Sequence, residues 1–411
     1  MEVLIYNHSL YTAGVETLIV RMANWLVSNG HGCSIVLRHT FEGDMCPLLR
    51  PEVNLRIAGN SWELLAIPGL RQLIWNRADL PTPDVVYTLE QSWATAGLLI
   101  RDLFPLGRTI AITGAYHPNQ FCYEGRSAKE GKIHKLRQVV YDRYYPDQTK
   151  FFMSDEVKEG HEKFFKRPIN GGFIWPLPLE LPDEAALEQR SANSDIIMSV
   201  GRLTPFKTYN TYMVDVIMEL RAKHLELKWV VYGFGPDEAR LLDGPWKSLI
   251  QSGALEFRGL VPYHEMQAAL SSAKVFIGMG TALLEAGAFG VPSVPAIVYD
   301  EEAKTYGYLT DLPYYTCGEL LSMGPPQRHV SQVLDDVLSM NDDQYSQLCR
   351  QHRDYMKGYS IQKVMQNWID QLAKVRQEPS IEYPDSKKLW YLFRRTLQLG
   401  KGRFLGKGPW L

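Results

Sequence analysis

The chain has 411 residues, of which 45% are hydrophobic and 22% charged, and its formal net charge is −2. The length favours two domains, the composition is that of a globular enzyme, and the near-neutral charge argues against general nucleic-acid binding. The charge is unevenly spread, because residues 387–411 contain seven basic residues and no acidic one. The body of the chain is therefore acidic, and the basic end indicates a partner.

The sequence indicates a reducing, cytoplasmic setting. The five cysteines are scattered and never form a C-x-x-C pair, which favours free thiols over zinc sites or disulfides. The chain begins with Met1 and Glu2 and runs directly into an apolar stretch, so no secretory signal is expected. No run of 18 apolar residues is present, so no membrane-spanning helix is expected either.

Short apolar, β-branched runs alternate with helical patterns in the first half, which is typical of parallel α/β layers. Strands are predicted at 3–7, 33–37, 84–89, 109–113 and 150–153. The first strand leads through a loop ending at Gly14 into a helix over 15–26, which Asn29 and Gly30 close. Four prolines between Pro168 and Pro182 then interrupt the pattern and indicate a linker between domains.

The second half repeats this alternation without a sequence repeat. Strands are predicted at 196–200, 227–232, 255–257, 274–277 and 293–298, and helices at 209–222, 236–251, from 262, around Glu285, and from Ser360 to about 375. The predicted organisation is a first domain (1–178), a linker (179–194), a second domain (195–358), a further helix (359–376) and a tail (377–411). Two doubly wound domains in tandem would leave a cleft between the carboxyl ends of both sheets, where such folds bind ligands.

The most informative motif is the glycine-rich stretch 278–292. An apolar run is followed by Gly278-Met279-Gly280, then by a helix from Thr281 that ends in Gly-Val-Pro. Glycines let the backbone approach an anion, and a helix N-terminus adds partial positive charge. Glu285 stands one turn into the helix and can accept from two neighbouring hydroxyls. Phosphate recognition beside diol recognition indicates a nucleotide pocket.

Two cations follow the strand at 196–200. Gly201 and Arg202 come directly after it, and Lys207 lies five residues further on. Fixed cations in this position could stabilise a departing diphosphate in place of a divalent ion, and no Asp-x-Asp cluster suggests a metal. The same two residues could also be ordinary surface charges at a strand end.

Two further glycine turns follow the next strands. Gly233 and Gly235 occupy one, and Arg258 and Gly259 begin the other, where backbone groups could read a nucleobase edge. The first turn equally fits a plain connection between a strand and a helix.

Taken together and in this order, these second-domain residues resemble retaining glycosyltransferases of the GT-B fold, specifically glycosyltransferase family 4. The resemblance runs from the first strand to about residue 375 and is strongest over 196–295. It implies that Arg202 and Lys207 bind the donor diphosphate, that Glu285 holds the ribose, and that backbone at Leu283 and Leu284 contacts the phosphates. It also implies that the helix from Ser360 crosses back to brace the first domain.

The first domain matches that family more loosely. Gly14 resembles the family's glycine turn, where the donor sugar and phosphate approach, and His117 resembles a histidine that faces the sugar. Ser154 matches a strand-end serine of structural role, and His8 stands at another strand end. One departure is Ile277, because the family usually has a glutamate there that contacts the donor sugar. Backbone N–H groups of 278–280 or other side chains would then have to hold the sugar.

The tail alternates apolar and basic residues over 387–399 and adds Phe404 and Trp410. Such a stretch suits an anionic membrane surface, although it could also pack on the acidic body or be disordered.

The combined reading is a metal-independent, retaining hexosyltransferase. Its donor substrate would be a nucleoside-diphosphate sugar, its acceptor a glycan or lipid-linked hydroxyl, and its pathway cell-surface polysaccharide assembly. No cofactor is expected. The alternatives are a sugar-nucleotide epimerase or hydrolase on the same fold, and a catalytically silent nucleotide-sugar-binding scaffold.

Overall fold

The computed structural model describes residues 1–11, 14–40, 44–58, 75, 79–89, 91–104, 108–115, 128–183, 187, 195–262, 265–321 and 324–377. The chain divides into two compact units. Unit 1 contains Met1–Pro178 and the segment that starts at Ile361, and unit 2 contains Leu179–Ser360.

Unit 1 is built on a seven-stranded sheet in the order β3-β2-β1-β4-β5-β6-β7, and every pair in it is parallel. The strands are β1 (Glu2–Asn7), β2 (Gly32–Leu37), β3 (Asn54–Ile57), β4 (Val85–Leu89), β5 (Ile110–Ala115), β6 (Lys150–Phe152) and β7 (Phe173–Ile174). The helices are α1 (Gly14–Ser28), α2 (Gln91–Arg101), α3 (Ala128–Tyr144) and α4 (Asp155–Phe165). Strands β4 and β5 are buried along their whole length, which explains their continuous apolar sequence.

Unit 2 is built on a five-stranded parallel sheet in the order β10-β9-β8-β11-β12. Its strands are β8 (Ile196–Val200), β9 (Lys228–Tyr232), β10 (Leu255–Phe257), β11 (Val275–Gly278) and β12 (Ser293–Pro295), and β13 (Lys304–Thr305) pairs with β14 (Arg328–His329). Its helices are α5 (Tyr209–Arg221), α6 (Glu238–Asp243), α7 (Lys247–Gln251), α8 (Met266–Ser271), α9 (Thr281–Ala288), α10 (Val330–Leu338) and α11 (Asp342–Met356). The prediction of two parallel, doubly wound α/β domains is confirmed.

The prediction of one helix over 236–251 is wrong. Two short helices, α6 and α7, occupy this stretch, separated at Gly244 and Pro245. Proline has no N–H to donate and clashes with the preceding turn, so it kinks or breaks a helix, and here the helix is broken. Trp246 directly precedes the second helix and is completely buried, with its indole N–H donating to the Asn210 carbonyl at 2.6 Å.

A further helix, α12 (Ile361–Gln377), belongs to unit 1 although it follows unit 2 in the chain. Its Trp368 is fully buried, with ring centroids 5.7 Å from Tyr87 and 5.6 Å from Trp175. Gln362 accepts from the Trp25 indole at 2.7 Å, and Arg376 pairs with Asp84 at 2.7 Å. The helix therefore packs as part of the unit 1 core.

Candidate active site

The carboxyl ends of β8 and β11 meet at the switch point of the unit 2 sheet. These strands are neighbours, but the chain builds outwards from β8 to β10 on one side and from β11 to β12 on the other. Loops that leave a parallel sheet at such a point diverge and leave room for a ligand. Two connections emerge there. Residues 201–207 follow β8 and are here called the cation loop, and residues 278–281, from the last residue of β11 to the first residue of α9, are here called the glycine loop.

The cation loop carries Arg202, which is exposed, and Lys207, which is half-buried. Gly201 has φ +155°, and a Cβ at that position would lie 2.5 Å from the Lys207 Nζ, so the absence of a side chain makes room for the ammonium group. Burial and, secondarily, the positive charge of Arg202 lower the pKa of Lys207 to about 8. Two cations are therefore held close enough to repel each other, and an anion bound between them would relieve that repulsion.

Gly233 and Gly235 pack against the backbone of the cation loop. A Cβ on Gly233 would lie 2.4 Å from the Gly201 carbonyl oxygen, and one on Gly235 would lie 2.2 Å from the Leu203 carbonyl oxygen. The Leu203 N–H donates to the Phe234 carbonyl at 2.7 Å. In this structure, these two glycines permit close approach of two backbones and fix the course of the cation loop.

The glycine loop leads into α9. Gly280 has φ +72°, and a Cβ there would have no neighbour within 4 Å, so open space lies beside it. Its N–H donates to the Cys317 carbonyl at 2.7 Å, and its carbonyl accepts from the N–H groups of Leu283 and Leu284 at 3.2 and 3.4 Å. Thr281 and Glu285 are half-buried on the first turns of the helix. The N-terminal end of an eight-residue helix and a carboxylate one turn away thus lie beside the cation loop.

The residues that follow β10 are engaged locally. Arg258 donates to Glu256 and to the Tyr232 hydroxyl, both at 2.7 Å, and these hydrogen bonds raise its pKa. Gly259 has φ +66°, and its carbonyl accepts from Gly233 at 2.7 Å. The second glycine turn is therefore tied through Gly233 to the first.

Ile277 is a core residue. Its side chain is completely buried in the hydrophobic cluster of unit 2, and its carbonyl accepts from the Ser199 hydroxyl at 2.9 Å. The Trp229 indole donates to the same hydroxyl at 3.0 Å, so Ser199 joins β9, β8 and β11. A sugar cannot be gripped by the Ile277 side chain, and the Gly280 N–H is already used by Cys317.

A carboxylate that the sequence analysis did not single out lies behind the glycine loop. Glu319 is 6% exposed and accepts from the Cys317 N–H at 2.7 Å and from its thiol at 3.6 Å. Cys317 in turn holds Gly280, so Glu319 acts on the glycine loop through one intervening residue. Its stretch has no helical or strand periodicity, and nothing in the sequence pattern connects Cys317-Gly318-Glu319 with Gly280.

In unit 1, Gly14 is the first residue of α1. His8 follows β1 and has its ring centroid 5.2 Å from that of His39, while burial and the charges of His39 and Arg38 lower its pKa to about 4. Ser154 accepts from the Val157 N–H at 3.3 Å as the cap of α4. His117 and the basic stretch 387–411 lie outside the described residues.

Within the parts of the chain that the structure describes, no group of three or more His, Cys, Asp or Glu side chains could hold a metal ion. Cys33, Cys46, Cys317 and Cys349 form no disulfide. No described helix is long and apolar enough to cross a membrane.

Part of unit 2, including the cation and glycine loops, matches a known protein family. Residues 184–301 match the family described as Glycosyl transferases group 1. A Salmonella typhimurium protein, provisionally named as the colanic acid biosynthesis glycosyltransferase WcaL, is 30% identical over 117 residues. The match spans 25% of this chain and 27% of that relative, so it covers only about a quarter of the relative's length.

Solved structures match over nearly the whole chain. Anabaena HepE in complex with UDP-glucose has a TM-score of 0.64 at 11% identity, covering 91% of this chain and 100% of its own. Sucrose-phosphate synthase from Thermosynechococcus elongatus has a TM-score of 0.65 at 14% identity, covering 91% and 99%. A TarM variant of S. aureus in complex with Fondaparinux, alpha-GlcNAc-glycerol and UDP has a TM-score of 0.60 at 9% identity, covering 90% and 100%. The chain has the GT-B fold, and the residues of unit 2 that match the group 1 glycosyl transferase family are 184–301.

Proposed function

We propose that this chain is a retaining, metal-independent glycosyltransferase of family 4. It would move a hexose-type sugar from a nucleoside-diphosphate sugar to a hydroxyl of a glycan or lipid-linked acceptor, in cell-surface polysaccharide assembly. The observation that carries the proposal is the arrangement of Arg202 and Lys207 beside the N-terminal end of α9 at the switch point of the unit 2 sheet. HepE and TarM were solved with UDP, which supports a nucleotide ligand for this fold.

The chemistry follows from charge. When the bond between the sugar and the diphosphate breaks, negative charge develops on the leaving phosphate oxygens. Arg202 and Lys207 would stabilise that charge, because preorganised cations and helix N-terminal groups need not reorient during the reaction. Glu285 would accept hydrogen bonds from the ribose hydroxyls. Gly14 and His117 of the first domain would face the sugar, and no side chain of the chain is assigned as a nucleophile.

The test is a panel of uridine, guanosine, adenosine and thymidine diphosphate hexoses, with released nucleoside diphosphate measured by mass spectrometry. Release that requires an acceptor supports transfer, whereas equal release without an acceptor supports the hydrolase alternative. Binding of the four nucleoside diphosphates is measured in parallel by calorimetry. Absence of binding to all four would refute both enzymatic readings.

One observation favours the silent scaffold as a second candidate. Ile277 replaces the glutamate that the family uses at the sugar, and it points into the core instead. A scaffold would bind a nucleoside diphosphate but release none from any nucleotide sugar, even with an acceptor glycan mixture. Product release would exclude it.

The tail belongs to the same proposal. We infer that residues 387–411 attract the enzyme to anionic membranes, because seven basic residues near a surface contribute roughly 1 kcal/mol each. Deletion of 387–411 should abolish sedimentation with phosphatidylserine vesicles and leave nucleotide binding unchanged. Unchanged sedimentation would refute the membrane role.

A further inference from the structure

Tyr299 is a large aromatic residue whose conformation is costly and whose side chain contributes little to the core. It is 66% exposed and has φ +60°, in the left-handed region. A non-glycine residue in this region costs roughly 1–2 kcal/mol, which glycine would avoid. Because the ring is mostly exposed, its packing offsets little of this conformational cost. Backbone strain at a residue whose side chain is exposed is often found at functional positions.

The other described non-glycine residues of unit 2 with positive φ, Ala303 and Tyr315, have structural explanations. Ala303 is buried, and its carbonyl accepts from the Val330 N–H at 2.7 Å where α10 begins. The Tyr315 N–H donates to the Tyr359 hydroxyl at 2.8 Å, and the two rings are 5.4 Å apart. Tyr299 also lies in a turn, in which the Asp300 N–H donates to the Ile297 carbonyl at 3.3 Å, but it differs from the other two because its ring is directed mainly towards solvent.

Its position joins the two loops of the candidate active site. The Tyr299 N–H donates at 3.1 Å to the carbonyl of Phe206, which precedes Lys207 in the cation loop. The Val298 N–H donates to the Gly318 carbonyl at 3.0 Å. Gly318 abuts the glycine loop, since a Cβ on it would lie 2.6 Å from the Met279 Cβ. Tyr299 is thus anchored directly to the cation loop, and the preceding residue, Val298, connects it through Gly318 to the glycine loop.

Phe206 supplies a second aromatic surface. It is half-buried against the unit 2 core, and its ring centroid is 6.2 Å from that of Tyr299, at an interplanar angle of 56°. One ring is therefore supported by the core, and the other extends from it. The electron-rich faces of aromatic rings pack well against the C–H face of a pyranose.

The order of the sheet indicates which part of a donor would reach this surface. A nucleoside-diphosphate sugar runs in the order base, ribose, diphosphate, sugar. The base is expected at the β10 end of the sheet and the diphosphate between β8 and β11, and Tyr299 follows β12 on the far side. The portion beyond the diphosphate is a sugar, or the acceptor glycan that attacks it.

We propose that Tyr299, supported by Phe206, forms an aromatic subsite for a pyranose ring, supplied by the donor or by the acceptor glycan. The subsite rests on the proposed function, because the cation and glycine loops define where the sugar lies. It would provide part of the sugar recognition that Ile277 does not.

The test uses the full chain and three variants. Y299N removes the ring but tolerates the left-handed conformation, Y299G removes both ring and strain, and Y299F is the control that keeps the ring. Calorimetry measures the affinity of each variant for the nucleoside diphosphate and for the nucleotide sugar that the panel of donors selects. Chemical denaturation measures the free energy of unfolding. We expect all three to bind the diphosphate like the wild type, and Y299G to be at least as stable.

If the donor provides the ring, Y299N and Y299G should bind the nucleotide sugar about three- to tenfold more weakly, and Y299F should not. If the acceptor provides it, nucleotide-sugar affinity is retained, and the variants lose binding to hexose-terminated oligosaccharides on a glycan array. If Y299N kept its affinity for the nucleotide sugar and for the oligosaccharides, or if Y299G were markedly less stable, the subsite would be overturned and the proposed function left intact. A wild type that binds no nucleoside diphosphate would refute both the subsite and the proposed function.

Discussion

Lys207 lies in an environment that is unfavourable for its own charge. Burial lowers its pKa to about 8, and Arg202 adds repulsion. A diphosphate placed against the two cations would offset the burial and the repulsion by its opposite charge and raise the pKa of Lys207 again. The unbound protein is therefore destabilised by charge at the place where an anion is expected to bind. Binding sites often reduce stability in this way.

The first prediction concerns pH. Nucleoside diphosphate affinity should fall as pH rises through about 8, because the unbound lysine loses its proton there. Calorimetry between pH 6.5 and 9.5 measures the effect. In K207R the cation persists, so the fall should move to higher pH. A wild-type affinity that is flat across this range would show that Lys207 does not contact the diphosphate.

The second prediction concerns stability. The folded pKa of Lys207 lies below its unfolded value of 10.5, so the unfolded chain binds more protons between these values. The loss of folding stability caused by the charged Lys207 is therefore fully present below pH 8, and it is relieved as pH rises towards 10.5. K207M should raise the free energy of unfolding of unit 2 at pH 7 by about 1–3 kcal/mol, and should weaken diphosphate binding. Urea denaturation followed by tryptophan fluorescence measures it, and a less stable K207M would contradict it.

The third prediction concerns Glu319. E319A leaves the buried Cys317 N–H without its acceptor, which should cost about 1–3 kcal/mol. It should also loosen the hold of Cys317 on Gly280 and weaken diphosphate binding. E301A removes an exposed carboxylate from the same unit and is the matched control. Equal diphosphate affinity in E319A and E301A would restrict Glu319 to a structural role.

At the scale of elements, the sequence was most informative where burial is continuous. Strands such as β1, β4 and β8 were predicted to within one or two residues, because parallel strands buried on both faces are uninterrupted apolar runs. Strand β3 was missed because it is a short edge strand that is only partly buried and has no continuous apolar run, although residues 53–57 do alternate between apolar and polar. Helices α10 and α11 were also not predicted.

The candidate site shows the same division. Gly201, Gly233, Gly235 and Gly280 were visible because each lies in a turn directly after a strand. Glu319 and Tyr299 were not, because they reach the site through loops whose path is set by tertiary hydrogen bonds. Local sequence patterns locate the ends of strands, but they do not show which loop residues pack against those ends in the folded chain.

The fourth prediction tests how glycines shape the cation loop. G235A places a Cβ 2.2 Å from the Leu203 carbonyl oxygen at φ +152°, so the loop must shift. G253A is the control, because its φ of +70° is also strained but nothing lies within 4 Å. G253A should cost about 1–2 kcal/mol and keep diphosphate affinity, whereas G235A should cost more and lose affinity. Equal effects would show that the close approach at Gly235 is unimportant.

At the scale of the molecule, unit 1 is discontinuous in sequence. Its sheet lies within Met1–Pro178, but α12 joins it after the 182 residues of unit 2 have intervened. Trp368 fills a space lined by Tyr87 and Trp175. Folding of the first unit therefore depends on a segment from the far end of the chain, and the two units should respond differently to damage in α12.

The fifth prediction follows from this arrangement. W368A should destabilise unit 1 by about 3–5 kcal/mol, because it leaves a large cavity between aromatic rings. Hydrogen exchange with mass spectrometry should show faster exchange in β1, β4 and β5, whereas β8, β9 and β11 keep wild-type protection. K363A alters an exposed residue of the same helix and should change neither the stability of unit 1 nor the exchange rates in either sheet. If W368A accelerated exchange equally in both sheets, the two units would unfold as one cooperative structure, and α12 would stabilise the whole chain rather than unit 1.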